Sequence, residues 1–340
     1  MANQNLRHAN KAKKDEFYTQ LTDIEKELNH YKEQFSGKVV LCNCDDPRVS
    51  NFFYFFYARF HSLGLKRLIA TCYKNLNPDL FSQNKDEQAV YCIYDGEDRV
   101  DNVIIDRDKF IKQNKWETLR GDGDFRTPEC IELLKQSDIV VTNPPFSLFR
   151  EFVDQLVKYD KKFLIIGNVN AITYKNCFQL IKENKMWMGC SIHSGDREFA
   201  VPDDYPLEAA GYRIDETGKK YIRIKGVRWF TNLDYKERHE DLVLCKKYNP
   251  EEYPKFDNYD AINIDKTANI PMDYEGIMGV PITFLDKFNP EQFEIIDGLN
   301  RYSILDVAGT NQWAIANHLH MTSVNGHSTY YRILIKNKKQ

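Results

Sequence analysis

The chain has 340 residues, of which 42% are hydrophobic and 13% aromatic, enough for one large domain and a smaller one around a well-formed core. No run of about 18 apolar residues occurs, and residues 1–5 lack the apolar segment of a signal peptide, so we expect neither a membrane span nor export. The net charge of −3 argues against a protein that coats nucleic acid non-specifically. Eight cysteines without a CxxC pair indicate reduced thiols in a cytoplasmic protein.

Segments with the apolar pattern of strands alternate along the chain with segments that have the pattern of helices. One helix is predicted to begin at Thr127-Pro128-Glu129, where cap, proline and acid follow in the order typical of a helix N-terminus. The other predicted helices are 22–35, 48–63, 147–159 and 174–184. The predicted strands are 38–42, 66–73, 116–119, 137–141, 163–166, 186–190 and 227–233. This alternation predicts an α/β fold with a doubly wound, mostly parallel sheet.

A domain boundary is indicated near residues 248–254, a stretch that contains Pro250 and Pro254 and after which the regular alternation ends. We therefore expect one domain at 1–248 and a smaller module at 249–340. Residues 75–118 have the pattern of an insertion in the first domain, and we assign no chemistry to them.

The most informative stretch joins the predicted strand 137–141 to Asn143-Pro144-Pro145-Phe146. Two consecutive prolines fix two φ angles and remove two backbone donors, and the residue before each proline is held extended. The stretch therefore predicts a stiff loop at the carboxyl end of a parallel strand. Ligands bind at this position in open α/β sheets.

Such a loop has two hydrogen-bond acceptors at a fixed separation, the side-chain carbonyl of Asn143 and the backbone carbonyl of Pro144. Two acceptors can bind both protons of one planar amino group, which localises the nitrogen lone pair and makes a poor nucleophile able to attack. Phe146 adds an aromatic face on which a ring can lie. The pattern predicts electrostatic preorganisation without a charged base, although it also fits a Pro-Pro turn that only ends a strand.

Asn143-Pro144-Pro145-Phe146 and its flanks resemble the EcoRI-type adenine-specific DNA methyltransferases, which use S-adenosylmethionine. The resemblance covers nearly the whole chain and is also carried by residues 15–19, 42–52, 121–126, 229–233, 279–285 and 332–336. It implies a Rossmann-like methyltransferase fold. The catalytic domain would be 1–248, and 249–340 would be a target-recognition module assisted by residues 190–225.

The implied reaction is the transfer of a methyl group from S-adenosylmethionine to the N6 amino group of an adenine flipped out of duplex DNA. Asn143 and Pro144 would accept hydrogen bonds from that amino group, Phe146 would stack on the ring, and no metal would be required. The implied partners are double-stranded DNA and, in a restriction-modification system, a cognate restriction endonuclease that acts on the same site. The sequence does not specify that site or an oligomeric state.

The resemblance also assigns residues to the cofactor. Thr19 lies in a stretch that contacts the methionine end of the cofactor in this family. Asp124 and Phe125 stand where the family has an acid that accepts from the cofactor's amino group and a ring that stacks on its purine. The alternative for this stretch is a plain glycine turn.

The turn after the first predicted strand departs from many methyltransferases, because no glycine occurs between Gly37 and Gly64. The EcoRI-type family shares this departure. The chain offers Asn43, Asp45, Asp46 and Pro47 instead, and we choose Asp45 and Asp46 as cofactor contacts. Their alternative role is to cap the following helix.

Two aromatic residues complete the predicted site. Tyr73 ends the second predicted strand, where many nucleotide-binding folds have a ribose-binding acid, and we expect its ring to cover the adenine or ribose of the cofactor. Phe199 lies in residues 197–202, which resemble a family segment near the flipped base, so Phe199 either stacks on that base or packs in the core.

Other substrates stay open on this evidence, because the same loop geometry serves other amino groups. They are cytosine, guanine in RNA and glutamine in a protein. A protein that binds duplex DNA without transferring a methyl group is an alternative from a different functional class.

Overall fold

The computed structural model describes residues 19–44, 46–48, 50–73, 89–97, 116–193, 195–201, 212–257, 259–299 and 323–338. The chain divides into two compact units, Met1–Val169 with Gly189–Asp234 and Asn170–Met188 with Tyr235–Gln340. In this division, the boundary nearest to the predicted position 248 follows Asp234. The roles predicted for the two domains stay predictions.

The described part of the chain contains the following helices: α1 (Leu21–Leu28), α2 (Asn51–Ala58), α3 (Pro128–Gln136), α4 (Phe149–Lys158) and α5 (Lys175–Lys182). It contains the following strands: β1 (Val39–Cys42), β2 (Arg67–Thr71), β3 (Val90–Tyr94), β4 (Glu117–Thr118), β5 (Ile139–Thr142), β6 (Lys162–Asn168), β7 (Trp187–Met188), β8 (Asp196–Val201), β9 (Tyr212–Ile214), β10 (Lys220–Lys225), β11 (Val227–Thr231), β12 (Ile262–Asn263), β13 (Met278–Pro281), β14 (Phe293–Leu299), β15 (Ser323–Val324), β16 (His327–Ser328) and β17 (Arg332–Asn337). None of the helices in these residues is long and apolar enough to cross a membrane.

The first unit is built on a sheet in which its strands follow the order β4-β3-β2-β1-β5-β6-β11. The central strands β2, β1, β5 and β6 are parallel, as expected for an α/β fold. β3, β4 and β11 run antiparallel to their neighbours. The large sheet is therefore mixed rather than mostly parallel, because the strands toward its sides return in the opposite direction. A smaller antiparallel sheet, β8-β10-β9, also belongs to this unit.

β1 marks the point where the chain changes its direction of travel across the sheet. From β1 the chain passes through α2 to β2 on one side, whereas β5 lies on the other side of β1 and leads through α4 to β6. Because such crossovers are right-handed, α2 and α4 cover opposite faces of the sheet. The carboxyl ends of β1 and β5 therefore form a topological switch point, where open α/β sheets bind their ligands.

Local signals in the sequence account for where several helices begin. The Thr127 hydroxyl accepts a hydrogen bond from the Cys130 N–H at 3.4 Å, and Pro128 is the first residue of α3, as predicted. The predicted helix 22–35 is instead α1 followed by a separate 3-10 turn. α2 begins only at Asn51, where the Ser50 hydroxyl accepts from the Phe53 N–H at 3.4 Å. Ser50, and not Asp46, therefore caps α2.

The second unit has its own four-stranded sheet in the order β12-β13-β17-β14. β12 pairs parallel with β13, and β17 pairs antiparallel with both β13 and β14. A β-bulge interrupts β14 between Ile295 and Asp297. Helix α5 packs against β14, so this unit combines the C-terminal sheet with a helix from the middle of the chain.

A buried carboxylate fixes α1 within the first unit. Glu27 is 0% exposed and accepts hydrogen bonds from the backbone N–H groups of Cys190 at 2.7 Å and Ser191 at 2.6 Å, and from the Tyr31 hydroxyl at 2.8 Å. A Cβ at Gly189 would lie 2.3 Å from Glu27 Oε1, so glycine is needed for this approach. The three donors give a buried acid the partners that it requires.

We expect Glu27→Gln to lower the free energy of unfolding by about 2–3 kcal/mol, because the new amide group faces buried N–H donors that it cannot satisfy. Urea unfolding monitored by circular dichroism measures the change. Glu25→Gln is the matched control: Glu25 lies on the same helix and pairs with Arg59 at the surface, so its loss should cost less than about 1 kcal/mol. Equal losses in the two variants would contradict the role of Glu27.

Candidate active site at the carboxyl edge of the sheet

The Asn143-Pro144-Pro145-Phe146 loop follows β5 directly. Asn143 and Pro144 are buried, and Asn143 is 5% exposed. Pro145 has the extended angles φ −53° and ψ 125°, and its carbonyl accepts from the Leu148 N–H at 2.9 Å in the 3-10 turn Phe146–Leu148. That turn runs straight into α4. The loop therefore holds Asn143 at the switch point between two regular elements, as the sequence predicts.

The end of β1 lies beside this loop, because β1 and β5 pair with Val40 opposite Ile139. The Thr142 hydroxyl donates to the backbone carbonyl of Asn43. The Asn43 side chain is 5% exposed, and its Oδ1 has no hydrogen-bond partner among the described residues. Asn43 is thus a buried acceptor aimed at no protein donor that the structure describes. Its place directly after a buried strand is the sequence signal that marks Asn43 beside Asp45 and Asp46.

Thr19 lies against the same edge of the sheet. The side-chain amide of Asn51, the first residue of α2, donates to the Thr19 backbone carbonyl at 2.6 Å. Thr19 is 3% exposed, and within the described ranges its Oγ1 also lacks a hydrogen-bond partner. A buried polar group without a partner costs about 1–3 kcal/mol. These two polar groups, one beside the first residue of α2 and one directly after β1, indicate a place for a polar ligand.

The turn after β1 has a conformation that usually needs glycine. Cys44 has φ +83°, in the left-handed region that side chains with a Cβ rarely adopt. Cys44 therefore adopts the left-handed backbone conformation in the turn where many methyltransferases have glycines. This explains how the edge can form although no glycine stands between Gly37 and Gly64.

The two acids chosen from the sequence at this turn have different outcomes. Asp45 lies outside the described residues. The Asp46 carboxylate accepts from the Arg48 guanidinium at 2.6 to 3.1 Å and from the Arg48 N–H at 2.9 Å. Arg48 therefore uses this carboxylate within its own loop, and a cofactor contact of Asp46 stays a prediction.

Residues 121–127 form a turn that reaches the end of β2. Gly123 has φ +77°, and a Cβ there would lie 2.0 Å from the backbone oxygen of Cys72, so the turn approaches the residue after β2 too closely for any side chain at position 123. The ring of Phe125 is 7% exposed and packs edge-on against Phe152 of α4, with 5.0 Å between ring centroids. The Gln155 amide donates to the Phe125 carbonyl at 3.0 Å. The turn therefore packs against α4 through Phe125.

Asp124, at the tip of this turn, is held by Arg126. The guanidinium donates from Nε to Oδ1 at 2.9 Å and from Nη2 to Oδ2 at 2.6 Å. These hydrogen bonds hold the pKa of Asp124 below its ordinary value, against the opposing effect of burial. The Asp124 carboxylate is therefore a hydrogen-bond acceptor that Arg126 holds in position.

The remaining two aromatic residues lie in different surroundings. Tyr73 follows Cys72 at the end of β2 and is 36% exposed, and its contact with a cofactor stays a prediction. Phe199 lies in β8 opposite Ile222 and is 1% exposed. Its ring is part of the interior of the unit, and stacking on a base stays a prediction that requires the ring to be uncovered.

The edge as a whole presents hydrogen-bond acceptors. Asn43 follows the last residue of β1, Asn143 follows the last residue of β5, and the turn that carries Asp124 approaches Cys72, directly after β2. Pro144 and Pro145 have no backbone N–H, so the loop after β5 adds carbonyl oxygens and no donors at these positions. Such a site suits a ligand with amino groups or positive charge at several points.

The sequence is similar to known proteins over nearly its whole length. The family model described as adenine-specific methyltransferase EcoRI matches residues 5–338. The Type II methyltransferase M.EcoRI of Escherichia coli is 52% identical over 339 residues, which are 99% of this chain and 97% of the relative. M.MgeORF184P of Mycoplasma genitalium and M.MpnI of Mycoplasma pneumoniae are each 40% identical over 337 residues, 97% of this chain and 98% and 97% of the relatives. No solved structure matches the chain.

We expect Gly123→Ala to lower the free energy of unfolding by more than about 3 kcal/mol, because the left-handed backbone costs roughly 1–2 kcal/mol and the added methyl group collides with the Cys72 carbonyl. Chemical denaturation measures it. Gly218→Ala isolates the collision: Gly218 has φ +83° but nothing within 4 Å of its Cβ position, so only the backbone cost should remain. A loss at Gly123 no larger than at Gly218 would refute the close approach.

Proposed function

The chain belongs to the EcoRI family of adenine-specific methyltransferases, and we propose that it transfers a methyl group from S-adenosylmethionine to the N6 amino nitrogen of an adenine at a specific site in duplex DNA. The observation that carries this proposal is the rigid Asn143-Pro144-Pro145-Phe146 loop at the switch point of the sheet. Because its relatives are Type II methyltransferases, we expect the methylated site to be one that a cognate restriction endonuclease would cut.

The loop explains how an aromatic amino group becomes reactive. An adenine within a duplex cannot reach a buried loop, so the enzyme turns it out of the helix at a cost of about a few kcal/mol. The Asn143 side-chain carbonyl and the Pro144 backbone carbonyl accept the two N6 protons, and Phe146 packs on the base. Both protons then lie in the plane of the acceptors, which turns the nitrogen lone pair toward the methyl donor.

The buried oxygens at the carboxyl edge of the sheet suggest which residues contact the cofactor. S-adenosylmethionine, when bound, supplies an electrophilic methyl group on a sulfonium centre. We assign Thr19 Oγ1 and Asn43 Oδ1 to the ammonium group of its methionine part, because both are buried oxygens that lack a described protein donor. Asp124 accepts from the amino group of its purine. Phe125 and Tyr73 then line the purine and ribose.

The attack places positive charge on the adenine nitrogen while the bond between the methyl group and the cofactor's sulfur would break, which would leave S-adenosylhomocysteine. One of the two N6 protons would then pass to solvent water to give the neutral methylated amine. Neutral carbonyl acceptors stabilise this charge while it develops, without holding a full negative charge in a buried site before the substrate arrives. Asn143 supplies a neutral acceptor of this kind.

We propose that residues 190–225 and 249–340 read the DNA sequence around the target base. In support, Tyr221 and Arg223 lie on one face of β10, and the Arg213 guanidinium of β9 lies 4.4 Å from the centroid of the Tyr221 ring. Cations beside an aromatic plane on an exposed sheet face suit contacts to phosphates and bases.

We expect Asn143→Ala to reduce methyl transfer at least about 10²- to 10³-fold, as for the loss of a group that stabilises developing charge. Its affinity for S-adenosylhomocysteine should change less than about threefold, because other residues hold the cofactor. Transfer of a radioactive methyl group to DNA, followed by base analysis, measures the first value and calorimetry the second. Asn168→Ala, at the end of β6 with its amide bonded to the Lys225 carbonyl, is the control. Loss of cofactor affinity in Asn143→Ala would reassign the residue.

We expect Asn43→Ala to weaken the binding of S-adenosylhomocysteine about tenfold or more, the effect of one hydrogen bond to a charged group. The binding of 5′-methylthioadenosine, which lacks the amino-acid part, should not change. Thr19→Val should act in the same direction. Titration calorimetry with both ligands decides the matter, since an equal loss for the two ligands would show that Asn43 does not contact the methionine end.

A further inference from the structure

The orientation of Asp124 depends on one neighbouring side chain. Its backbone is fixed: the N–H donates to Asp122 Oδ1 at 3.0 Å, and the carbonyl accepts from the Thr127 hydroxyl at 2.8 Å. What stays variable is the rotation of the carboxylate. The Arg126 guanidinium binds both carboxylate oxygens as a fork, at 2.9 and 2.6 Å, and a bidentate pair of this kind sets direction as well as distance.

Counting lone pairs shows which oxygen remains able to accept. Asp124 Oδ1 accepts twice, from Arg126 Nε and from the Arg126 backbone N–H, each at 2.9 Å. Oδ2 accepts once, from Arg126 Nη2. A carboxylate oxygen has about two acceptor positions, so within the described structure one position is left, on Oδ2. The Asp124 side chain is 18% exposed, so the carboxylate is not sealed in the interior.

Arg126 also joins this acid to α4, the helix that begins directly after the Asn143 loop. Its Nη1 donates to Glu151 at 2.6 Å, in the first turn of that helix. Phe125, between the two bonded residues, packs on the same helix through Phe152. Helix α4 therefore contacts the turn that carries Asp124 and also follows directly on the Asn143 loop, which would hold the target base.

Stability alone does not explain this arrangement. The Arg126 side chain is 49% exposed, and ion pairs at such positions contribute little to folding. A fork that leaves one acceptor position in a defined direction is useful for recognition, because a planar amino group needs an acceptor in its own plane. The same hydrogen bonds keep the pKa of Asp124 low, so the acceptor stays ionised.

We infer that Arg126 is a positioning residue for the cofactor: it turns the Asp124 carboxylate so that Oδ2 accepts from the 6-amino group of the purine, and it thereby makes the site select adenosine over its 6-oxo analogue. The inference rests on the proposed function in one respect, the assignment of Asp124 to the purine of S-adenosylmethionine. Inosine presents a carbonyl oxygen in place of the amino group and would face the carboxylate oxygen with no proton between them.

The test compares the binding of S-adenosylhomocysteine and S-inosylhomocysteine by titration calorimetry. We expect the unaltered protein to prefer the adenosyl ligand about tenfold or more, as for one hydrogen bond to a charged group. Arg126→Lys keeps the positive charge and loses the fork, and should reduce this preference to within about threefold of unity. Arg126→Ala should do the same. Neither variant should change the affinity for S-inosylhomocysteine by more than about threefold, because that ligand makes no such bond.

Two further variants separate the possible outcomes. Arg67→Ala breaks an Arg67–Asp95 fork of similar geometry, with distances of 2.7 and 2.9 Å, at the opposite end of β2, and should leave the preference unchanged. Asp124→Ala should abolish it. If Asp124→Ala abolishes the preference and both Arg126 variants retain it, the positioning role is overturned while the assignment of Asp124 stands. If Asp124→Ala retains it, the assignment of Asp124 fails and the inference fails with it.

Discussion

The parallel pairing of β1 with β5 is the constraint on which the candidate site depends. Every residue of both strands is buried, so neither strand can shift or leave the sheet without exposing a large apolar surface. The chain departs from these two strands in opposite directions across the sheet, and the helices that follow cover opposite faces. The crevice at the carboxyl ends of the strands is therefore left open, and the first residues after each strand, Asn43 and Asn143, lie at that edge.

The crevice has few backbone N–H donors, and this decides which ligands it suits. Many nucleotide-binding turns offer backbone N–H groups to phosphates, whereas here two prolines remove such donors after β5, and the turn after β1 places Asn43 Oδ1 in the interior without a described donor. Acceptors of this kind select ligands that carry N–H groups and positive charge. A sulfonium cofactor with an ammonium group and an amino-substituted purine, and an adenine as target, all meet this requirement.

Parts of the structure that rest on local physical chemistry could be predicted from the sequence. The cap at Thr127, the proline that begins α3, the buried strand β5 and the stiff loop after it are each decided by residues within a few positions of one another. The family resemblance also predicted the adenine-specific methyltransferase family to which the chain belongs. The surroundings of Asp46 could not be predicted in this way, because residue type alone does not show that Arg48, two positions away, binds its carboxylate.

The sequence by itself determined the alternation of strands and helices around β1, β5 and β6, the stiffness of the Asn143 loop and the reaction class, because these follow from the spacing of apolar residues, from steric limits on the backbone and from a motif of neighbouring residues. Only the tertiary structure decided that Asn43 and Thr19 are buried acceptors at one edge, that the sheet is mixed, and that Arg126 orients Asp124 while bound to α4. These features depend on strand order and on contacts between residues far apart in the chain. Local patterns contain no information about such contacts.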